Sequence, residues 1–240
     1  MSCQDSPLCK VFLDQVVPVV GSLTSLLIYI APWKEVSLII ALRELGGVNV
    51  LPYAMMVCNS IAWLMYSFLI RNYFVMVTNL MGYGLGIYYT LQTYRFSTSA
   101  QQVSVARLLL VGTVVIFSAS GISFVFISDP VSAKLFLGWV AVILLAAFYS
   151  SPLSTLYAVL QERSAKSLSW NLAAASLLNS ALWTCYGVTL DDSFIWAPNG
   201  FGIVVALVQL VLLYLYGGSV LERQRLVSSP RVCETIDEEA

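Results

Sequence analysis

Shifting residues 29–94 along the chain by 120 positions, without a gap, brings the distinctive residues of one segment onto those of another. Tyr29 meets Tyr149, Pro32 meets Pro152, Arg43 meets Arg163, and Asn59 with Ser60 meets Asn179 with Ser180. Trp63 then meets Trp183, Tyr66 meets Tyr186, Phe74 meets Phe194, Asn79 meets Asn199, Gly82 meets Gly202 and Tyr94 meets Tyr214. Chance overlap of two apolar stretches would not align polar, aromatic and backbone-special residues in this way. The chain is a tandem duplication, and its fold must place two copies of one unit side by side.

The duplicated unit belongs in a bilayer. Of 240 residues, 59% are hydrophobic and only 10% charged, far from the composition of a soluble domain. A helix needs roughly 20 largely apolar residues to cross the hydrocarbon core. Such stretches are expected at about 11–31, 50–70, 73–94, 105–127, 134–151, 168–190 and 194–217. The first is expected to belong to the mature fold rather than to be a signal peptide, since its leader lacks a positive region and Tyr29 and Pro32 take part in the repeat. The expectation is an all-α membrane protein in which two parallel three-helix repeats, 11–94 and 134–218, are joined by a linker helix within 95–133. An odd number of crossings separates the units, so they point the same way. Residues 1–10 form the outer N-terminus and 219–240 a disordered cytoplasmic tail, polar and ending Asp-Glu-Glu-Ala.

Orientation follows from Lys and Arg. With the N-terminus outside, the cytoplasmic segments hold Lys34, Arg43, Arg95, Arg107, Arg163, Lys166, Arg223, Arg225 and Arg231, and the outer ones only Lys10, Arg71 and Lys134.

Several functions are excluded or disfavoured. There is no histidine, which removes the usual general base and the commonest metal ligand. The five cysteines lack metal-ligand spacing, although Cys3 and Cys9 could bridge outside. No cofactor, enzymatic activity or nucleic-acid partner is expected. The charged residues fall at span ends or in loops, so the simplest machinery for proton coupling is missing, which favours facilitated diffusion. The last span has no lysine for a retinal Schiff base. Coupling through tyrosine and water, or through sodium on carbonyls, stays open.

Candidate ligand groups come in symmetric pairs. Asn79 and Asn199 offer donors and acceptors without charge, matching sugar hydroxyls, and would converge near a pseudo-two-fold axis, where such carriers bind substrate. Trp63 and Trp183 lie well inside their spans and offer flat faces and N–H donors; Trp33, Trp139, Trp170 and Trp196 sit nearer span ends, as interfacial anchors do. Pro32, Pro52 and Pro152 lie at span ends; the symmetric pair Pro32 and Pro152 suggests hinges. Gly82 and Gly86 form a small-residue packing face.

These residues resemble the SWEET (MtN3/saliva) family of sugar transporters. Repeat one carries Ala31-Pro32, Leu51-Pro52-Tyr53, Asn59-Ser60, Trp63 with Tyr66, and Val77-Thr78-Asn79; repeat two carries Ser151-Pro152-Leu153-Ser154, Asn179, Trp183 with Tyr186-Gly187, and Ala197-Pro198-Asn199-Gly200-Phe201-Gly202. The similarity spans about 11–218. The family is itself a known instance of parallel repeats, so that category is not a new assignment. The resemblance implies sugar binding at Asn79 and Asn199 with Trp63 and Trp183 lining the same cavity, and cavity size set at Ile28, Asn59, Phe148 and Asn179, in a pattern closer to hexose carriers than to sucrose carriers. It implies an outer gate near Tyr66, Arg71, Tyr186 and Asp192, including an Arg71–Asp192 pair. It further implies bidirectional uniport of a monosaccharide such as glucose by alternating access, at the plasma membrane or in Golgi or vacuolar membranes, and assembly into dimers or trimers. The departures are a missing fourth proline, with Ser169 or Leu172 in its place, and Pro32-Trp33 and Pro152-Leu153 where amino-acid exporters of the PQ-loop type carry Pro-Gln. A proton-coupled exporter of that type, or a membrane adaptor acting through its tail, are the alternative readings.

Overall fold

A computed structural model describes residues 6–217, and every regular element within them is helical. The tail 219–240, Cys3 and Cys233 lie outside the described residues; Cys9 is disulfide-bonded. The chain begins with α1 (Pro7–Val11), a π-helical turn (Phe12–Val16) and α2 (Val17–Ile30). Ala31 and Pro32 interrupt the rod before α3 (Trp33–Leu42). Next come α4 (Leu51–Leu69), α5 (Tyr73–Tyr94), α6 (Ser99–Gly121, extended by the π-helical turn Ile122–Phe126), α7 (Pro130–Glu162), α8 (Trp170–Thr189) and α9 (Ser193–Tyr216). Seven rods result, grouped as α1 to α5, then α6, then α7 to α9.

Each rod starts where the sequence supplies a cap. Asn72 accepts from the Val75 N–H, Ser169 from Leu172 and Asp192 from Phe194, and Thr98 with Gln101 forms a reciprocal capping box. Asp129 caps α7; hydrogen bonds from the Ser132 side chain and backbone hold its carboxyl below the usual range, so this cap is intact at neutral pH and is lost only in strong acid. Ser169 also answers the missing proline: α8 starts on a serine cap, whereas α4 carries Pro52 in its first turn, where proline costs no hydrogen bond.

Duplication reaches the backbone. Arg43 and Arg163 both end a helix in the left-handed region, with φ 55° and 49°, and Arg71 and Asp191 both turn the chain there, with φ 54° and 50°. All four are non-glycine residues, and they form two pairs 120 positions apart. The first and fifth rods both run past their expected spans, to Leu42 and Glu162. The fifth span, expected at 134–151, is part of one helix of 33 residues that runs through position 152 to Glu162, about 50 Å long. In the other copy, Pro32 sits at an interruption between two helices. A proline forfeits one backbone hydrogen bond without obliging the helix to stop, and the two copies resolve that loss differently.

Packing separates two environments. Four rods, at 7–42, 99–126, 130–162 and 193–216, are long and apolar enough to cross a membrane by composition alone. The helices α4, α5 and α8 fall short of that measure because they carry polar residues toward the inside, Asn59, Asn79 and Asn179 among them. Outward-facing residues of α6 and its extension are apolar and bare, such as Leu110, Val114 and Phe126, as lipid contact requires. Linker α6 leans on α4 of the first repeat, where Gly112 meets Cys58. Between the repeats, α2 packs on α8 and α4 on α7, the same contact made twice. Gly82 and Gly202 repeat a second device: each faces a serine hydroxyl, Ser60 or Ser180, and a tyrosine ring, Tyr29 or Tyr149, with no room for a Cβ.

Candidate functional site

A cavity of about 480 Å³ lies between the two repeats. Asn79, Asn199, Trp63 and Trp183 line it, and so do Ile28, Asn59, Phe148 and Asn179. All eight residues singled out as ligand or size determinants are therefore brought together. The other tryptophans are not: Trp33, Trp139, Trp170 and Trp196 are 40–58% exposed on the outside, while Trp63 and Trp183 are 8% and 6% exposed. No lining residue carries a charge. Hydroxyls, carboxamides and indoles supply all the polarity, a set that suits a neutral, hydroxyl-bearing ligand.

The two asparagines have the same posture. Asn79 donates an amide N–H to the Val75 carbonyl and Asn199 to the Ile195 carbonyl, each at 2.8 Å and each four residues back along its own helix. That bond pins the carboxamide and leaves its oxygen as an acceptor. Pro198 stands inside α9 next to Asn199, where its mate in α5 is Thr78. Asn179 is occupied differently. Its Oδ1 accepts from Ser25 Oγ at 2.7 Å and lies 2.9 Å from Thr24 Oγ1, while Trp183 donates its indole N–H to Ser25 Oγ at 3.1 Å. This knot ties α8 to α2. Asn59, its symmetry mate, has a buried Oδ1 without any partner among the described residues. A buried acceptor left unpaired costs about 1–3 kcal/mol.

The cavity is closed toward one end of the bundle and continuous toward the other. Its lining extends through Thr155 and Ala173 to Ser167, Leu168 and Ser169 in the α7–α8 connection, and includes no residue of the turns at 70–72 or 190–192. Those turns carry the closure. Tyr66 donates to both carboxylate oxygens of Asp192 at 2.9 and 2.8 Å, and Asn72 Nδ2 donates to the Tyr186 hydroxyl at 2.8 Å. Since 66 pairs with 186 and 72 with 192 in the duplication, these are one contact made twice across the two repeats. Beneath them Trp63, Tyr66 and Phe194, with Trp183, Tyr186 and Phe74, interlock edge to face.

The expected Arg71–Asp192 pair is not formed. Asp192 is 2% exposed and its ion-pair partner is Lys134, at 2.9 Å. Arg71 occupies the left-handed turn position with its side chain exposed, so backbone geometry directs it away from Asp192. The sequence reading missed Lys134, Asn72, Thr24 and Ser25. Asn72 was within reach, because shifting Asp192 back by 120 lands on it. The others were not, because the duplication breaks there: Lys134 corresponds to Asp14, and Thr24 and Ser25 to Leu144 and Leu145.

Fold and site together define a polytopic membrane protein with a ligand-sized cavity between parallel repeats. Residues 15–101 and 135–219 match the family described as sugar efflux transporters for intercellular exchange, MtN3_slv. The chain belongs to this family, the SWEET transporters, whose members are transporters and not enzymes. The sugar transporter SWEET1 of Dictyostelium discoideum is 27% identical over 81% of this chain and 89% of its own length. That of Rattus norvegicus is 28% identical over 78% and 84%, and the bidirectional sugar transporter SWEET13 of Oryza sativa subsp. japonica 24% over 82% and 67%. A solved structure described as a eukaryotic SWEET transporter superposes with a TM-score of 0.79, covering 86% of this chain and 98% of that one at 22% identity, and shows the same fold.

Proposed function

We propose that this chain carries a monosaccharide such as glucose down its gradient, in either direction, by alternating access. The observation that carries the reading is the uncharged cavity of about 480 Å³, within the range of about 300–1,000 Å³ typical of small-ligand sites. It is closed at one end by paired contacts between repeats and continuous toward the other end. Asn79 and Asn199 accept hydroxyls from opposite sides, Trp63 and Trp183 pack on the ring, and Ile28 and Phe148, also symmetry mates, limit its size. The names of the relatives agree with a sugar as cargo.

On this reading the structure is the state open to the cytoplasm, with the Tyr66–Asp192 and Asn72–Tyr186 contacts as the outer gate. Rocking the repeats would break both and open the other side, with Pro32, Pro52 and Pro152 absorbing the change. The excess of Lys and Arg on one side supports an outer N-terminus, and the membrane proposed is the plasma membrane. No carboxylate or amine lines the cavity, which supports transport without the usual proton-coupling groups. Assembly into dimers or trimers would leave each cavity within one chain. The test is the Asn79→Ala, Asn199→Ala double variant: with the protein folded and inserted, hexose flux should fall at least about 100-fold, and retained flux would remove the site.

A further inference from the structure

The cavity reaches the open end of the bundle along one repeat. On α4 its lining stops at Met56 and on α5 at Asn79, whereas on α8 it continues past Asn179 through Ser176 to Ala173, and on α9 past Asn199 to Gln209. Gln209 stands about 15 Å farther along its helix than Asn199. The duplication shows what closes the first repeat. There the counterparts of Thr155, Ala173, Ser176 and Gln209 are Glu35, Tyr53, Met56 and Tyr89. Tyr53 donates to Glu35 at 2.7 Å and Tyr89 to the Tyr29 carbonyl at 2.9 Å, and the two buried rings, 5.7 Å apart, pack with Val36 and Met56. In the second repeat a threonine, an alanine, a serine and a glutamine leave that volume open and line it with neutral polar groups.

We infer that the second repeat carries a second, shallower binding position for a neutral, hydroxyl-bearing ligand, formed by Thr155 of α7, Ser176 of α8 and Gln209 of α9, and that sugar passes through it between the central cavity and the open end. This rests on the transport reading above. A sugar leaving Asn79 and Asn199 gives up hydrogen bonds inside a narrow apolar surround, where an unpaired polar group is costly. Two hydroxyls and a carboxamide on three helices return those bonds part of the way out, since each both donates and accepts. No charge stands among them, so the position takes the same class of ligand as the central cavity. Gln209 lies well before the end of α9 at Tyr216, within the membrane-spanning stretch, and there a carboxamide turned to the cavity has a ligand to serve. The first repeat has no equivalent, because its two tyrosine hydroxyls already donate to Glu35 and Tyr29.

The test uses full-length purified protein carrying Leu172→Cys, a water-soluble thiol reagent, and glucose as the probe. Leu172 lines the same stretch and is exposed, while of the native cysteines Cys58 is buried, and labelling of the wild type gives the background. Glucose should slow labelling of the Leu172→Cys protein, and should still do so when Asn79→Ala and Asn199→Ala disable the central pair. In that background Gln209→Leu with Ser176→Ala should abolish the protection. With the asparagines in place, Gln209→Leu should raise the half-protecting glucose concentration about tenfold, the loss of one hydrogen bond, and leave unchanged the glucose dependence of tryptophan fluorescence, which reports Trp63 and Trp183. That measurement decides the matter if the asparagine variant does not fold. Protection that is absent, that disappears with the asparagine pair, or that is indifferent to Gln209→Leu and Ser176→Ala would overturn the inference alone. No glucose counterflow by the wild type in proteoliposomes would overturn the transport reading and this inference with it.

Discussion

At the scale of single residues the closed end of the cavity turns on Asp192, a carboxylate with 2% exposure held by Tyr66, Lys134 and the first turn of α9. Burying a charge is tolerable only while it is paired, and removing one partner usually costs more than removing both. Lys134 is 34% exposed, so solvent screens part of the pair and the effect sits below that of a fully buried one. Lys134→Met should lower the melting temperature of the purified protein by several degrees, and Lys134→Met with Asp192→Asn should recover part of the loss. A double variant less stable than either single one would contradict the ion-pair account. The cavity asparagines and tryptophans stand out in the sequence because each recurs 120 positions on, whereas Ile28 and Phe148, unlike in type, were given only by the family resemblance. Arg71 was misplaced because a turn conformation, not a contact, fixes it, and a left-handed φ at arginine carries no strong sequence signal.

At the scale of elements the linker helix shows how closely the parts fit. A Cβ on Gly112 of α6 would lie 2.6 Å from the Cys58 sulfur on α4. Gly112→Ala should therefore destabilise the α4–α6 contact by about 1–3 kcal/mol through overpacking, and Cys58→Ala should restore most of it by clearing the space. Thermal unfolding of the two single variants and the double reads this directly; additive losses would contradict it. Gly82→Ala and Gly202→Ala should behave alike, since each Cβ would fall 2.7 Å from a serine hydroxyl. The helices were mostly legible: the boundaries of α4, α5, α8 and α9 lie within two residues of the apolar stretches. The continuity of α7 was not, because a proline in a long apolar run can end a helix or sit within it, and its neighbours in space make that choice.

At the scale of the whole molecule the two repeats share a backbone plan and divide the work unequally. The gate contacts are symmetric, cross-repeat and made of hydrogen bonds and aromatic edges, whereas the cavity between them is charge-free and differs between its halves at Thr24, Ser25, Leu144 and Leu145. Duplication explains why so much of the site could be read in advance, and departures from duplication mark what could not. A carrier built this way has no preferred direction, since the gradient sets the sign of flux. The central claim of the proposed function is movement of sugar without a driving ion. The measurement that tests this most directly is accumulation of labelled glucose by proteoliposomes preloaded with unlabelled glucose, at equal pH on both sides and without any ion gradient. The account predicts transient accumulation that a protonophore leaves unchanged. Accumulation that appears only when a pH step is imposed, by folded and inserted protein, would contradict it.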